Sequence, residues 1–97
     1  MQITNVTIRK TFTEGNLKAI VSLTIDDCLA LHDVKIISGA GRTFVAMPSR
    51  QGEDGVYRDI VHPIGSQLRH EFETEILNAY ENYLLIDSVM KETNLSA

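Results

Sequence analysis

The sequence predicts an α+β domain, a small twisted antiparallel β-meander of four to five strands with a C-terminal α-helix packed on it. Two patterns predict this class. Apolar and polar residues alternate from Leu17 to Asp26, which is the period of a half-buried strand. Apolar residues then recur at spacings of three and four from Leu68 to Leu84, which is the stripe of a helix packed on one side. A chain of 97 residues allows one domain with a thin core.

The first three predicted strands cover residues 3–12, 17–26 and 28–37. In the first of them, Val6, Ile8 and Phe12 share one side, which Lys10 interrupts. The third is apolar on both faces in its first half, so it needs cover on both sides. Because the chain has a single predicted helix, a partner subunit could supply the second cover.

A hairpin with a long tip is predicted next. Two short apolar runs, residues 43–47 and 56–61, flank a polar insert that begins with Pro48. Asp54 and Gly55 supply the turn chemistry, because glycine adopts positive φ freely and an aspartate can bond the backbone ahead of it. Arg50 and Arg58 bracket this tip, as expected of a place that holds a phosphate or a carboxylate.

The helix is expected to follow Pro63, which cannot donate to a sheet ladder, with Ser66 as its N-cap. Periodicity weakens after Leu85. We therefore expect one domain over residues 1–86 and a frayed C-terminal tail over residues 87–97.

The charge distribution limits the function classes. The net charge is −4, yet residues 1–70 carry eight Lys or Arg against seven Asp or Glu, while residues 71–97 carry one against six. Overall acidity disfavours strong nonspecific binding to nucleic acid, although one basic face can still bind. The chain has no apolar run long enough to span a membrane and no signal-peptide pattern, so a cytoplasmic location without membrane contact is expected.

No pattern predicts catalysis, a metal or a cofactor. The three histidines match no compact zinc spacing, and Cys28 is expected to be a buried apolar residue beside Asp26 and Asp27. His32 alternates with Val34, which favours a core or interface histidine held by a hydrogen bond. We therefore predict that the protein is not an enzyme.

The surroundings of Arg58 leave two interpretations open. Its neighbour Asp59 points to the other face of the strand, so the two cannot pair directly. Arg58 either crosses to a carboxylate such as Asp33 or faces an open surface with Arg50 as an anion site. Phosphate-loop, helix-turn-helix and RNA-recognition-sheet patterns are absent, so nucleic-acid binding would have to come from a loop or a β-ribbon.

Several stretches give the chain a family resemblance. They are Ile3-Thr4-Asn5-Val6, the second-strand run from Leu17 to Asp26, His32-Asp33-Val34-Lys35-Ile36-Ile37, Phe44-Val45-Ala46-Met47-Pro48-Ser49-Arg50 and Asp54-Gly55-Val56-Tyr57-Arg58-Asp59-Ile60-Val61-His62-Pro63-Ile64. In this order and spacing, over residues 3 to about 80, the chain resembles the SpoVG family of bacterial septation and sporulation regulators.

The resemblance implies a cytoplasmic homodimer that binds DNA and also RNA, and that regulates septation, sporulation and gene expression. It places the nucleic-acid contact in the basic loop after the Met-Pro-Ser stretch. On this sequence the implied contact residues are Arg50, Arg58 and Arg69, with Ser49 and Gln51 beside them.

The loop departs from the family pattern at one point. The family usually has a second basic residue directly after the first, followed by Thr-Pro, whereas this chain has Gln51-Gly52-Glu53. One cation is lost and one acid is gained, so we expect weaker phosphate binding than in more basic relatives.

Two further expectations concern partners. A thin meander has exposed edges, so we expect homodimers in which the sheets pair across subunits. The alternative to nucleic-acid binding is a protein-interaction module, in which the same loop and the acidic helix bind a division or regulatory protein.

Overall fold

The computed structural model describes the backbone of residues 1–96 and the side chains of residues 1–90. Its elements are β1 (Ile3–Thr11), β2 (Leu17–Ile25), β3 (Leu29–Gly39), β4 (Arg42–Ala46), β5 (Ser49–Gln51), β6 (Tyr57–Asp59) and α1 (Ser66–Ser96). The strands β1 to β4 form one antiparallel sheet in sequence order, and β5 pairs with β6 in a separate two-stranded ribbon. The predicted α+β class, a meander with a C-terminal helix, is confirmed.

The core lies between β2 and α1. The alternation predicted for β2 is confirmed from Ala19 onward, because Ala19, Val21 and Leu23 are fully or almost fully buried on the side that packs against Phe72 and Ile76 of the helix. Leu17, predicted on the same side, lies on the opposite one, because the pairing with β3 shifts register between Leu17 and Ala19. The other buried apolar strand residues come from the end of β2, from β3 and β4, and from the segment after β4. Burial of one face accounts for the half-buried pattern in the sequence.

Tight turns with positive φ close the meander. Asp26 and Asp27 have φ of 51° and 55°, and Cys28 N–H donates to the Ile25 carbonyl. Ala40 and Gly41, with φ of 53° and 74°, connect β3 to β4. Two successive positive φ angles match the twist of a two-residue hairpin. Cys28 is exposed beside the first of these turns, so the expectation that it is buried is wrong.

A bulge in β1 changes which residues face the core. The pairing with β2 shifts register between Ile8 and Lys10, so Ile8 pairs with Val21 on the core side and Lys10 pairs with Ile20 on the other side. We call the side of the four-stranded sheet that faces away from α1 the outer face; Lys10 and Ile20 belong to it. The prediction that Lys10 interrupts the core side is therefore wrong, because the bulge reverses the alternation there.

A second bulge has the same effect in β3. Leu31 pairs with Leu23 and Val34 with Val21, which leaves His32 and Asp33 opposite a single residue of β2. Asp33 adopts φ of 62°. Placing His32 on the same side as Val34 was therefore wrong. The expected hydrogen bond is present, because His32 Nδ1 lies 2.9 Å from Ser22 Oγ, but His32 is exposed and is not a core residue.

The predicted arms of the long hairpin are also wrong. Residues 42–46 pair with β3 in the main sheet, and the hairpin itself joins Ser49–Gln51 to Tyr57–Asp59. Pro48, which lacks a backbone N–H, separates β4 from β5 and so ends the main sheet. Ile60 N–H then donates to the Pro48 carbonyl at 2.8 Å and closes the base of the ribbon.

The helix covers one face of the sheet and contacts both edge strands, β1 and β4. Its first backbone bond runs from Arg69 N–H to the Gly65 carbonyl, so Ser66 is the first helical residue and Gly65 takes the N-cap position predicted for Ser66. Glu73 accepts a hydrogen bond from Val45 N–H on the free edge of β4, the edge that pairs with no other strand in the described chain.

The distal part of α1 extends past the sheet. From Tyr83 onward most described side chains are exposed, and Leu85 is 66 % exposed. The described helix continues to Ser96, beyond the expected domain end at residue 86. The expected fraying of residues 87–97 stays a prediction, and its last residue lies outside the described chain. Among the described residues, no helix has the length and apolar character needed to cross a membrane.

Candidate nucleic-acid interface

The β5–β6 ribbon brings the two predicted arginines together. Arg50 and Arg58 are directly opposite each other across the two strands, and both are exposed. Like charges in such a position repel each other unless something compensates for them. Two unpaired arginines would therefore repel each other in this ribbon.

Asp54 compensates one of them. Its carboxylate accepts hydrogen bonds from both terminal nitrogens of Arg58, at 2.7 Å and 3.2 Å. It also accepts the Val56 N–H at 3.1 Å, which confirms the predicted turn role of Asp54. The hydrogen bonds from Arg58, and secondarily from Val56, lower the pKa of Asp54 below its ordinary value of 3.8. In return, the bond to Asp54 raises the pKa of Arg58.

Gly52 lies directly against this ion pair. A Cβ at position 52 would lie 2.9 Å from Arg58 Nη1 and 3.0 Å from Asp54 Oδ1. The Gly52 backbone also starts the turn, because its N–H donates to the Val56 carbonyl. The glycine that distinguishes this loop from the family pattern is thus the residue over which Arg58 and Asp54 meet.

Arg50 is the uncommitted cation of the ribbon. It takes part in none of the ion pairs or hydrogen bonds found among the side chains of residues 1–90. An open depression beside it, of about 320 Å³, is lined by residues that include Glu53 and Asp59. Arg50 is therefore free to bind an anion, although carboxylates stand close by.

The two interpretations of Arg58 are now resolved in favour of a carboxylate, but the carboxylate is Asp54 and not Asp33. Arg69 faces a carboxylate at longer range: its Nη2 lies 3.8 Å from Asp59 Oδ2 across the gap between α1 and β6, beyond hydrogen-bonding distance. Both pairs are open to solvent, so they are easily exchanged for another partner.

The remaining predicted contacts flank the arginines. Ser49 pairs with Asp59 and Gln51 with Tyr57 across the ribbon. Gln51 Nε2 donates to the Gly55 carbonyl at 3.1 Å, so this side chain supports the turn. Ser49 is exposed next to Arg50. The structure thus brings Ser49, Arg50, Gln51 and Arg58 into one ribbon, with Arg69 linked to its base through Asp59.

Sequence reasoning missed two features. Large apolar side chains are exposed around the ribbon, namely Val56, Tyr57, Ile60 and Ile64, the last with 84 % exposure. Basic side chains also gather on the outer face of the main sheet, where Lys10 and Lys35 flank Ile20. The basic group on the outer face was not predicted from the sequence, because a regular alternation without the β1 bulge assigns Lys10 to the core side.

Comparisons with known proteins identify the family of the chain. The family model described as SpoVG matches residues 1–82. A relative from Lachnospira eligens, named "Putative septation protein SpoVG", is 51% identical over 81 residues, which cover 84% of this chain and 92% of that protein. One of the same name from Staphylococcus aureus is 40% identical over 97 residues, covering 100% of this chain and 94% of that protein. The chain therefore belongs to the SpoVG family.

Proposed function

We propose that this protein is a non-catalytic, cytoplasmic regulator of septation and sporulation that binds nucleic acid through the β5–β6 ribbon. Its relatives carry the name of a septation protein, which supports the cellular role. DNA is the proposed ligand, with RNA as a further one, and no cofactor or metal is required. A homodimer would present two ribbons to one nucleic acid.

The observation that carries the proposal is the cross-strand placement of Arg50 and Arg58 on an exposed ribbon. Guanidinium groups suit phosphate because their planar donors match its oxygens. Arg50 is ready to bind, whereas Arg58 and Arg69 must exchange Asp54 and Asp59 for a phosphate. Binding should therefore be weak and sensitive to salt.

The test is a fluorescence-anisotropy titration of labelled DNA and RNA oligomers with Arg50→Gln and Arg58→Gln. Asn78→Asp, on the exposed face of the helix, changes the net charge by the same amount and serves as the control. Arg50→Gln should weaken binding several-fold, Arg58→Gln less, and the control little. Equal effects of Arg50→Gln and Asn78→Asp would remove the ribbon as the contact.

A protein-interaction module remains the second candidate. The exposed apolar group around the ribbon, with Tyr57 and Ile60 each more than half exposed, resembles the core of a protein interface more than a phosphate-binding surface. A division or regulatory protein would be the partner. Binding to it should persist between 50 and 200 mM salt, while phosphate binding should fall steeply over that range.

A further inference from the structure

The outer face of the four-stranded sheet has no covering element among the described residues. The helix packs on the opposite face, and the β5–β6 ribbon makes no extensive contact with strands β1 to β4. One outer-face row crosses all four strands, from Lys10 through Ile20 and Lys35 to Ala46. This surface is distinct from the ribbon.

Cations line this face. Arg9, Lys10, Lys35 and Arg42 are exposed there, and none of the strand positions paired on the outer face is Asp or Glu in the described sheet. Within β3, Asp33 sits in the bulge outside the pairing. The carboxylates of α1 lie on the other side of the sheet. A net charge of −4 thus conceals one basic face.

Between the cations the floor is apolar. Leu17, Ile37 and Phe44 form a second row beside the first, and Ile20 separates the two lysines. All four are only partly buried. The Arg42 guanidinium lies 5.7 Å from the centroid of the Phe44 ring. Lys10 similarly lies 5.1 Å from the centroid of Phe12 at the opposite edge.

Hydrogen bonds orient part of the basic group. Arg9 Nε donates to Ser22 Oγ at 3.1 Å, which leaves the two terminal nitrogens of the guanidinium available. Ser22 is buried, and its oxygen also contacts His32 Nδ1. A guanidinium held at one nitrogen loses less freedom when it binds an anion.

We propose that the outer face binds single-stranded nucleic acid, with Arg9, Lys10, Lys35 and Arg42 on the phosphates and Phe44 beneath the bases. This rests on the proposed nucleic-acid function and assigns it a second surface. A single strand fits better than a duplex, because only unpaired bases can stack on the apolar side chains of this face while their phosphates contact the surrounding lysines and arginines. The arrangement uses one aromatic ring with an adjacent guanidinium, and both groups can stack on bases.

The experiment measures the anisotropy of a labelled 20-nucleotide deoxythymidine oligomer and of a 20-base-pair duplex, between 50 and 200 mM salt. Lys10→Gln/Lys35→Gln is compared with Asn78→Asp/Asn82→Asp, which alters the net charge equally on the helix. The lysine variant should lower the salt slope for the single strand by about 1.4, at about 0.7 per lost contact. The control should leave the slope unchanged. Phe44→Leu should weaken single-strand binding by about fivefold or more, with little effect on the duplex.

Three outcomes would overturn the assignment. If Arg50→Gln abolishes single-strand binding while the lysine and Phe44 variants behave as wild type, the ribbon alone binds and the proposed function stands. If the lysine variant alters the sedimentation coefficient of the protein but not its affinity for the deoxythymidine strand, the outer face is a contact between copies of the protein. If the wild-type protein binds neither oligomer, the proposed function fails together with this second surface.

Discussion

Replacing Asp54 with asparagine should tighten nucleic-acid binding. The substitution removes the carboxylate that holds Arg58 at 2.7 Å and 3.2 Å. An asparagine oxygen can still accept the Val56 N–H, so the turn should persist. Arg58 then joins Arg50 as a second uncommitted cation on the same ribbon.

The size of the effect follows from counterion release. One additional phosphate contact steepens the salt slope by about 0.9 on duplex DNA and about 0.7 on a single strand. Over the fourfold change from 50 to 200 mM salt, this corresponds to about a threefold change in relative affinity. Asp54→Asn should therefore bind more tightly at 50 mM, and its advantage should shrink about threefold at 200 mM.

Glu53→Gln is the matched control. It removes the same charge from the neighbouring position, but Glu53 forms none of the ion pairs described for residues 1–90. Anisotropy titrations at several salt concentrations compare the two variants. Adding Arg58→Gln to Asp54→Asn should cancel the gain, as a double-mutant cycle requires. Identical slopes for Asp54→Asn and Glu53→Gln would refute the view that Asp54 sequesters Arg58.

Three further predictions concern the ribbon and the fold. Because Arg58 lowers the pKa of Asp54, stabilisation by this pair is present above the ordinary aspartate pKa and is lost as pH falls through the lower folded value. Carboxyl NMR titration should therefore show a higher Asp54 midpoint in Arg58→Gln than in the wild type. An unchanged midpoint would contradict the pairing. Ile76→Ala should lower the free energy of unfolding by about 2–5 kcal/mol, because this side chain is fully buried. Leu85→Ala should change it by no more than about 0.5 kcal/mol, because Leu85 is exposed. A large, concentration-dependent loss for Leu85→Ala would mean that another copy covers the distal helix. Ala40→Asn should raise the free energy of unfolding by up to about 1 kcal/mol in denaturant titrations, because asparagine tolerates the left-handed φ of 53° better than alanine. A loss of stability would show that this turn is not strained.

The sequence predicted the elements whose pattern is most regular. The alternation of β2 from Ala19 onward and the apolar stripe of α1 both reflect burial of one face, and both are found. The bulges near Arg9 and at Asp33 were not predicted, because a bulge depends on pairing with the neighbouring strand and leaves no local signature of its own. Each bulge reverses the alternation, so residues on its two sides that the sequence pattern places on one face lie on opposite faces.

The candidate site was predicted in part for a similar reason. The turn at Asp54 and Gly55 follows from local chemistry, and the structure contains it. The register that sets Arg50 opposite Arg58 depends on the hairpin length, and the apolar runs suggested a longer hairpin. The contact between Arg58 and Asp54 spans only four residues, and in its observed geometry both side chains lie against Gly52. This close approach is steric and is not visible in charge or hydropathy.

The hydrogen bond from Val45 to Glu73 has a consequence for self-association. It occupies a backbone donor on the free edge of β4, so an incoming strand finds that margin partly blocked. The nine-residue margin of β1 is the longer open one. Two copies joined antiparallel through β1 would expose only the partly blocked margins of β4. Addition of further strands beyond this pair would then be disfavoured.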